Sequence, residues 1–595
     1  MSGYNLEVKQ PVADVNEPQV VAEHHGFATD IDHVPKGYFT TRYFLGTYVA
    51  HIFTFLGGLA GFNLIAPILG DINNDIGPSE SILWLALVYP LGLAVGLGLM
   101  GRVTDIFGRR WFMIIGNLLG TIGAVVCSRA HTINTLIGGE TLIGFGSTAA
   151  YSFNFVISEI VPMKYRFWAL GGLFFFCLPM NGFNTIVATS FVVHTEQGWR
   201  WCYYLILILN AIATVLYFLF YHPPTFEMKH KGVSKRQILK EFDYVGAFGL
   251  MTGVTLFLIG LNWGGGLYSW NDAHVIATMA VGGVIIFALP VWEAFSKVKD
   301  PFIPLRLFRS RGWTVSMLSS SIGATVYYSF SIIWPSMVSV VYARGDQIWA
   351  GWASCLVAMG IAVGQVIGNA LTLAVTRQKI QCIVAMTVGT IFLGAAATCN
   401  ADDKGKAMAF VFLSCLFIGW NEAVVATLVG VCIQDQRDIG VAAGLSGCIR
   451  SLLGSVSSAI YSAVLRSRLN HTVPAHVTPA VVAAGLPKSS VEAFVQALSI
   501  GTSAAFDKVE GVTPGIIAAG TQAYRVANVD AYRTVFLSSL AFGGLCIILN
   551  LMIPNVDKLM NRDIAVRLHA TNEKNASDTV GDKPLHEIKH VEKIV

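Results

Sequence analysis

Charged residues are scarce in this chain. Only 13% of its 595 residues are Asp, Glu, Lys or Arg, whereas a soluble protein carries about 25%. Hydrophobic residues make up 54%, and the mean hydropathy is +0.59. Apolar stretches of about 20 residues, each enough to cross a hydrocarbon core roughly 30 Å thick, recur along the whole length. The composition therefore excludes a soluble globular protein and predicts an all-α membrane protein.

Several chemical signatures are also missing. The ten cysteines lie nearly all inside apolar segments and form no C-x-x-C pair, so they indicate small buried side chains rather than a disulfide or metal framework. No Walker sequence, metal cluster or nucleophile constellation occurs, so we expect no enzyme and no cofactor. No basic patch for nucleic acid is present either. Residues 1–36 lack an apolar h-region, so we expect no cleaved signal peptide.

Fourteen apolar segments are predicted to span the membrane, and their short connections make sequential helices antiparallel neighbours. They are residues 43–69, 82–101, 111–129, 133–158, 168–192, 202–221, 244–262, 274–293, 313–341, 348–375, 380–398, 407–432, 439–465 and 533–553. The connection 466–532 is long and rich in Ala, Val, Gly and Pro, and stretches such as 489–498 could form short amphipathic helices.

Cations concentrate in alternate loops, which predicts the orientation. One set of loops holds Arg109/Arg110, Lys164/Arg166, the run 229–240, 297–311 and Arg377/Lys379, and the other set is mainly acidic. By the positive-inside rule both termini are cytoplasmic and segment 466–532 lies outside. Asn470 then begins a glycosylation sequon on the outer face. We expect a multi-pass protein of the plasma membrane, because no retrieval signal is evident.

A short polar turn between two apolar segments is the most specific motif. It reads G-x-x-x-D-x-x-G-R-R, with Gly101, Asp105, Gly108, Arg109 and Arg110 at the defining positions. A random basic loop would explain the arginines but not this spacing. The turn resembles the signature loop of the major facilitator superfamily. This resemblance implies two six-helix bundles around a central cavity and transport by alternating access.

Further segments resemble the fourteen-helix drug:proton antiporters of that superfamily. Residues 136–146 resemble the fourth-helix motif, with Glu140 at the usual arginine position, and 179–182 resemble a degraded antiporter motif. Asn63 in the first helix is retained, whereas Gly58 replaces the usual acid. Two extra central helices are implied by 243–246, 264–270 and 301–308.

A resemblance to a more specific family extends over most of the chain. Segments 37–48, 71–79, 103–112, 158–166 and 198–204 together resemble the fungal trichothecene efflux pump family, over residues 37 to 553. The implied division is a cytoplasmic tail 1–42, a six-helix bundle 43–221, a linker with two extra helices 222–312, a second bundle 313–553 with outer loop 466–532, and a cytoplasmic tail 554–595. Siderophore importers are near relatives, so the direction of transport stays open.

Ionisable groups within membrane helices are costly and therefore mark candidate sites. Glu140 and Glu422 are candidates for proton coupling, because a carboxyl group in a low dielectric holds its proton more readily. Each could instead be hydrogen-bonded to a neighbouring helix without titrating. Arg450 could pair with an acid such as Glu422 or could snorkel to the cytoplasmic surface. Asn63 could bind substrate or bridge helices.

The family pattern also implies a conformational latch. In it, the loop aspartate, here Asp105, caps a helix of the other half, while Arg109 pairs with an acid at the foot of the fourth helix, here Glu159. This latch would hold the outward-open state. The lone membrane histidine of the first span, His51, is expected to be a packing residue more often than a coupling group.

The sequence thus predicts a proton-coupled secondary transporter that acts as a monomer in the lipid bilayer and exports an amphipathic toxin, drug or secondary metabolite. Two alternatives stay open: proton-coupled uptake of siderophore-bound iron, and a non-transporting nutrient sensor of the same fold. Long signalling tails would favour the sensor, and the tails here are short.

Overall fold

The computed structural model describes residues 37–79, 81–162, 165–223, 240, 242–265, 268–296, 301–433, 439–500 and 503–556. Within these ranges the chain is helical, and the only β-type pairing is an isolated bridge between Gly264 and Tyr268. The helices are α1 Arg42–Asn63, α2 Leu69–Ile76, α3 Ile82–Phe107, α4 Arg109–Ser128, α5 Ile133–Gly146, α6 Thr148–Tyr151, α7 Phe153–Ile160, α8 Arg166–Gly182, α9 Asn184–His194, α10 Arg200–Phe220, α11 Tyr244–Trp263, α12 Ala273–Phe295, α13 Arg306–Arg309, α14 Arg311–Met337, α15 Gln347–Val375, α16 Gln378–Ala396, α17 Lys404–Val431, α18 Ile439–Ala483, α19 Val491–Ile500, α20 Ser503–Phe506 and α21 Pro514–Met552.

Local sequence explains where many helices begin and break. Asp243, Asp346 and Thr513 accept hydrogen bonds from the first-turn N–H groups of α11, α15 and α21, which satisfies donors that a helix start leaves unpaired. Pro67 lies in the 3₁₀ turn between α1 and α2. Pro335 near the end of α14 removes a helical donor, and the chain continues as one π turn over Val338–Tyr342.

Twelve helices are long and apolar enough to cross a membrane among the residues the structure describes. Two of the fourteen predicted spans are not among them. Span 133–158 is interrupted at Ser147 and Ser152 into α5, α6 and α7, and span 313–341 falls in α14 and the π turn. The all-helical prediction is confirmed, whereas the number fourteen stays a prediction.

Among the described residues, buried side chains form three hydrophobic clusters. The first joins α1 to α12 with the C-terminal end of α17 and the N-terminal end of α18, and includes Phe155, Val425 and Val441. The second lies among α14 to α18 and α21, around Trp334 and Phe536. The third lies in segment 466–532, which was predicted as a loop and is instead largely helical, because α18 and α21 extend into it. Val477 and Val481 of α18 pack there with Phe494 and Ile516.

Candidate functional site

A large cavity of about 1170 Å³ lies between the two sets of helices. Its walls include Tyr89 and Asn184 from the first half and Ser336 and Ser354 from the second. Its mouth is formed by exposed residues such as Trp270, Arg466 and Asn470. Arg466 is the only residue of formal charge among the described residues that line it. We call this space the outer cavity; its size and mostly uncharged wall suit an amphipathic small molecule.

Four serines on one helix form a hydroxyl stripe along this cavity. Ser451, Ser455, Ser458 and Ser462 lie at intervals of four, three and four residues, which places them on one face of α18. Hydroxyl groups both donate and accept hydrogen bonds. This stripe was not predicted from the sequence, although its helical spacing is visible there.

A smaller chamber of about 90 Å³ lies below the outer cavity and shares Tyr151 and Ser451 with it. Glu422 of α17, Gln365 of α15 and Arg450 of α18 all line this inner chamber. The guanidinium of Arg450 pairs with Oε1 of Glu422, and Nε2 of Gln365 donates to Oε2 at 3.5 Å. Glu422 is only 4% exposed; the cation of Arg450 compensates its charge, and the neutral amide of Gln365 adds a hydrogen bond. The pairing that the sequence offered as one of two roles for Arg450 is the one the structure shows.

The opposite end of the bundle is closed by close helix contacts between the two halves. A Cβ on Gly101 of α3 would lie 2.4 Å from Cα of Val441 on α18, and one on Gly444 would lie 2.5 Å from the carbonyl oxygen of Leu97. No side chain fits at either position, so both glycines are required for this approach. Gly101 of the signature loop therefore contributes to the closed end.

Arg166 makes a further contact between the halves at the closed end. It is fully buried, and its Nη1 donates to the carbonyl oxygen of Gly430 on α17 at 3.2 Å, while its Nε donates to that of Val161 at 3.3 Å. From the sequence, Arg166 was expected only as a cation of a cytoplasmic loop. Hydrogen bonds from a buried charge are stronger than neutral ones, so Arg166 stabilises the closed end.

The signature loop is partly described. Gly108 has a φ of 89° and separates α3 from α4, as the predicted turn requires. Arg109 is buried with its guanidinium 4.8 Å above the ring of Phe155, and Arg110 donates to the carbonyl oxygen of Phe218 at 2.6 Å. The side chains of Asp105 and Glu159 lie outside the described part, so the predicted latch between these acids and their partners stays a prediction.

The other candidates lie apart from the inner chamber. Glu140 is 1% exposed and lies beside Tyr203 and Cys127 inside the first half, away from the described walls of both cavities. His51 shares a 2.6 Å hydrogen bond with the hydroxyl of Tyr217, in agreement with a packing role. Asn63 lines the outer cavity.

The structure adds detail at two further positions of the sequence prediction, Gly58 and Asn470. A Cβ on Gly58 would lie 2.3 Å from that of Ala150, so the acid that this helix usually carries would not fit here. Asn470 is exposed but lies within helix α18, at the mouth of the outer cavity, and the Thr472 of its sequon is buried. A glycan on Asn470 would therefore stand at the cavity entrance.

Comparison with known proteins places this geometry in a family. The sequence profile of the fungal trichothecene efflux pump family matches residues 10–586. The chain is 29% identical to the trichothecene efflux pump TRI12 of Fusarium sporotrichioides, covering 93% of this chain and 92% of that protein. It is 28% identical to the protein of the same name from Trichoderma arundinaceum, covering 94% of each. The fold is similar to the crystal structure of the human organic anion transporter MFSD10, with a TM-score of 0.52 and 11% identity over 84% of this chain and 99% of that one.

Two helical halves around a cavity that is closed at one end are the arrangement of the major facilitator fold, and the family match makes the chain a transporter rather than an enzyme. The chain belongs to the fungal trichothecene efflux pump family. The predicted family and fold class are therefore confirmed.

Proposed function

We propose that this protein exports an amphipathic toxin or other secondary metabolite in exchange for protons. The observation that carries the proposal is the outer cavity of about 1170 Å³, whose floor leads to the buried Glu422–Arg450 pair. A cavity accessible from one side binds the substrate, and a titratable acid below it can link substrate release to proton binding. The efflux function of the trichothecene pumps that it resembles supports the direction.

The orientation follows from the distribution of positive charge. With the basic loops in the cytoplasm, the outer cavity opens to the outside and the end closed by Gly101 and Arg166 faces the cytoplasm. Both termini are then cytoplasmic. We assign the protein to the plasma membrane, where export from the cell must occur, and propose that it acts as a monomer.

The exchange requires the two bundles, 43–221 and 313–553, to rock about the inner chamber, with the extra helices of 222–312 beside them. A proton from outside neutralises Glu422 and removes the charge that holds Arg450. The closed end then separates, and the acid releases its proton to the cytoplasm before the next substrate is carried out. Glu140, which is enclosed within the first half, is assigned a secondary role in coupling or none.

The test is substrate movement in fungal cells that lack the protein and in cells that overproduce it, with and without a protonophore. The probes are a labelled trichothecene and a labelled iron–siderophore. Protonophore-sensitive loss of the toxin from overproducing cells is expected. Protonophore-sensitive iron accumulation would reverse the direction of transport, and no movement of either probe would favour a non-transporting sensor.

A further inference from the structure

The inner chamber contains polar groups that the proposed mechanism has not used. Asn181 of α8 and Gln365 of α15 line it from opposite halves, and they are 6% and 9% exposed. Oδ1 of Asn181 and Oε1 of Gln365 accept no hydrogen bond from any described residue. A buried carbonyl oxygen without a donor costs about 1–3 kcal/mol, so two such groups in one small chamber point to a ligand that donates hydrogen bonds.

The contacts of Gln365 indicate which of its amide atoms is available. Its nitrogen faces the carboxylate of Glu422, which can only accept when ionised. The oxygen of Gln365 is therefore the atom left to accept a hydrogen bond. Ser320, Ser446 and Ser451 add hydroxyl groups to the same chamber, which is enough to give a small ligand the roughly two to four polar partners that a buried water makes.

The volume limits the ligand to a very small molecule. About 90 Å³ gives room for about three water molecules, each of which occupies about 30 Å³ in the liquid. Tyr151 and Ser451 line both spaces, so the chamber adjoins the outer cavity at these residues. Glu422 lines the same chamber, so waters held there would lie between this junction and its carboxylate.

We propose that the inner chamber is a water-binding site, organised by Asn181 and Gln365, through which a proton passes between the outer cavity and Glu422. The inference rests on the proposed proton coupling and adds its route. The proton moves along hydrogen-bonded waters as each donates one proton onward and accepts another, so no other reactant is needed. Asn181 and Gln365 are positioning residues, because they hold the waters and do not themselves carry the proton.

The experiment measures proton access to Glu422 separately from transport. The full chain is reconstituted in nanodiscs, and the infrared band of the protonated Glu422 carboxyl is assigned by its loss in Glu422→Gln. The rate at which this band shifts after transfer to heavy water reports access. Asn181→Leu fills the chamber from the first half and leaves both members of the ion pair in the chain, and Asn181→Ser is its matched control. We expect exchange to slow at least about tenfold in Asn181→Leu and to stay within about twofold of wild type in Asn181→Ser; tenfold corresponds to about 1.4 kcal/mol in the barrier.

A second variant keeps the test valid if Asn181→Leu fails to fold. Ala443→Leu fills the chamber from α18, and Ala443→Ser is its control; the melting temperature in detergent verifies the fold of each. Unchanged exchange in both leucine variants would overturn the water route while leaving proton coupling intact. A Glu422 band that does not titrate in wild type would overturn the coupling role and the route together.

Discussion

The guanidinium of Arg450 on α18 pairs with the carboxylate of Glu422 on α17 below the outer cavity. Both helices belong to the second half, so the pair can open without the halves separating first. Its position beside Tyr151 and Asn181 of the first half makes it sensitive to the relative placement of the two halves. This arrangement links the charge on Glu422 to conformation.

Removing one member of this pair should destabilise the protein more than removing both. Arg450→Gln leaves Glu422 buried without its cation, and breaking a buried pair on one side costs about 3 kcal/mol. The double variant Arg450→Gln with Glu422→Gln leaves no unpaired charge. We therefore expect the melting temperature in detergent to fall in each single variant and to recover in the double. Additive losses would show that the two side chains are not energetically coupled.

The close approach at Gly444 should be needed for the state in which the outer cavity is open. Gly444→Leu places atoms against the carbonyl of Leu97 and prevents the cytoplasmic end from closing. The variant Ser458→Cys places a thiol in the outer cavity, and maleimide labelling of this thiol in nanodiscs reports the open state. The ten native cysteines are buried, so they should contribute little labelling. We expect labelling to fall at least about tenfold, which requires a shift of at least about 1.4 kcal/mol in the equilibrium between the two states.

Gly138 is the matched control for that experiment. It lies on α5, and a Cβ there would meet nothing within 4 Å. Gly138→Leu should label like wild type. If Gly444→Leu also labels like wild type, the glycine contact does not control the closed end.

Arg166 should stabilise the same closed end through its bonds to Gly430 and Val161. Arg166→Gln removes a buried charge-assisted hydrogen bond worth about 1.5–3 kcal/mol, and Arg166→Lys keeps the charge but loses the planar geometry. We expect labelling of the cysteine in Ser458→Cys to be highest with Arg166 present, lower in Arg166→Lys and lowest in Arg166→Gln. Arg309→Gln is the control, because Arg309 is exposed on α13. Equal labelling in all four proteins would refute the contribution of Arg166.

The serine stripe should bind substrate rather than only fill space. Replacing Ser455 and Ser458 together by alanine removes two hydroxyl groups, each worth about 1 kcal/mol in a hydrogen bond, so the KM for a labelled trichothecene should rise roughly thirtyfold. The kcat should change little if the bonds persist in the transition between states. Ile460→Ala, at a residue 40% exposed on the same helix, should leave KM unchanged. An unaltered KM in the serine variant would place the substrate elsewhere.

Much of the fold could be predicted because apolar length and the signature spacing are strong signals. The helix breaks at Ser147 and Ser152 could not, since serine is common within membrane helices and breaks them only where packing demands it. Segment 466–532 was predicted as a loop because it is long and rich in Ala, Val, Gly and Pro, although Pro474 and Pro479 lie within helix α18. Val473, Val477 and Val481 recur every four residues and pack against Phe494. This spacing was the helical signal available in the sequence.

The site was less predictable. Glu422 and Arg450 could be suggested as partners because each is costly alone in a membrane. The enclosure of Glu140 beside Tyr203 depends on packing among α4, α5 and α10, which periodicity does not reveal. Arg166 seemed an ordinary loop cation, because its burial depends on the approach of α17 from the other half.

The central claim is that a proton gradient drives substrate movement through Glu422. The most direct measurement is uptake of a labelled trichothecene into proteoliposomes with an imposed proton gradient, comparing wild type with Glu422→Gln and Glu140→Gln. The account predicts uptake that collapses with a protonophore, that is abolished in Glu422→Gln, and that persists in Glu140→Gln. Gradient-driven uptake that is undiminished in Glu422→Gln would contradict it.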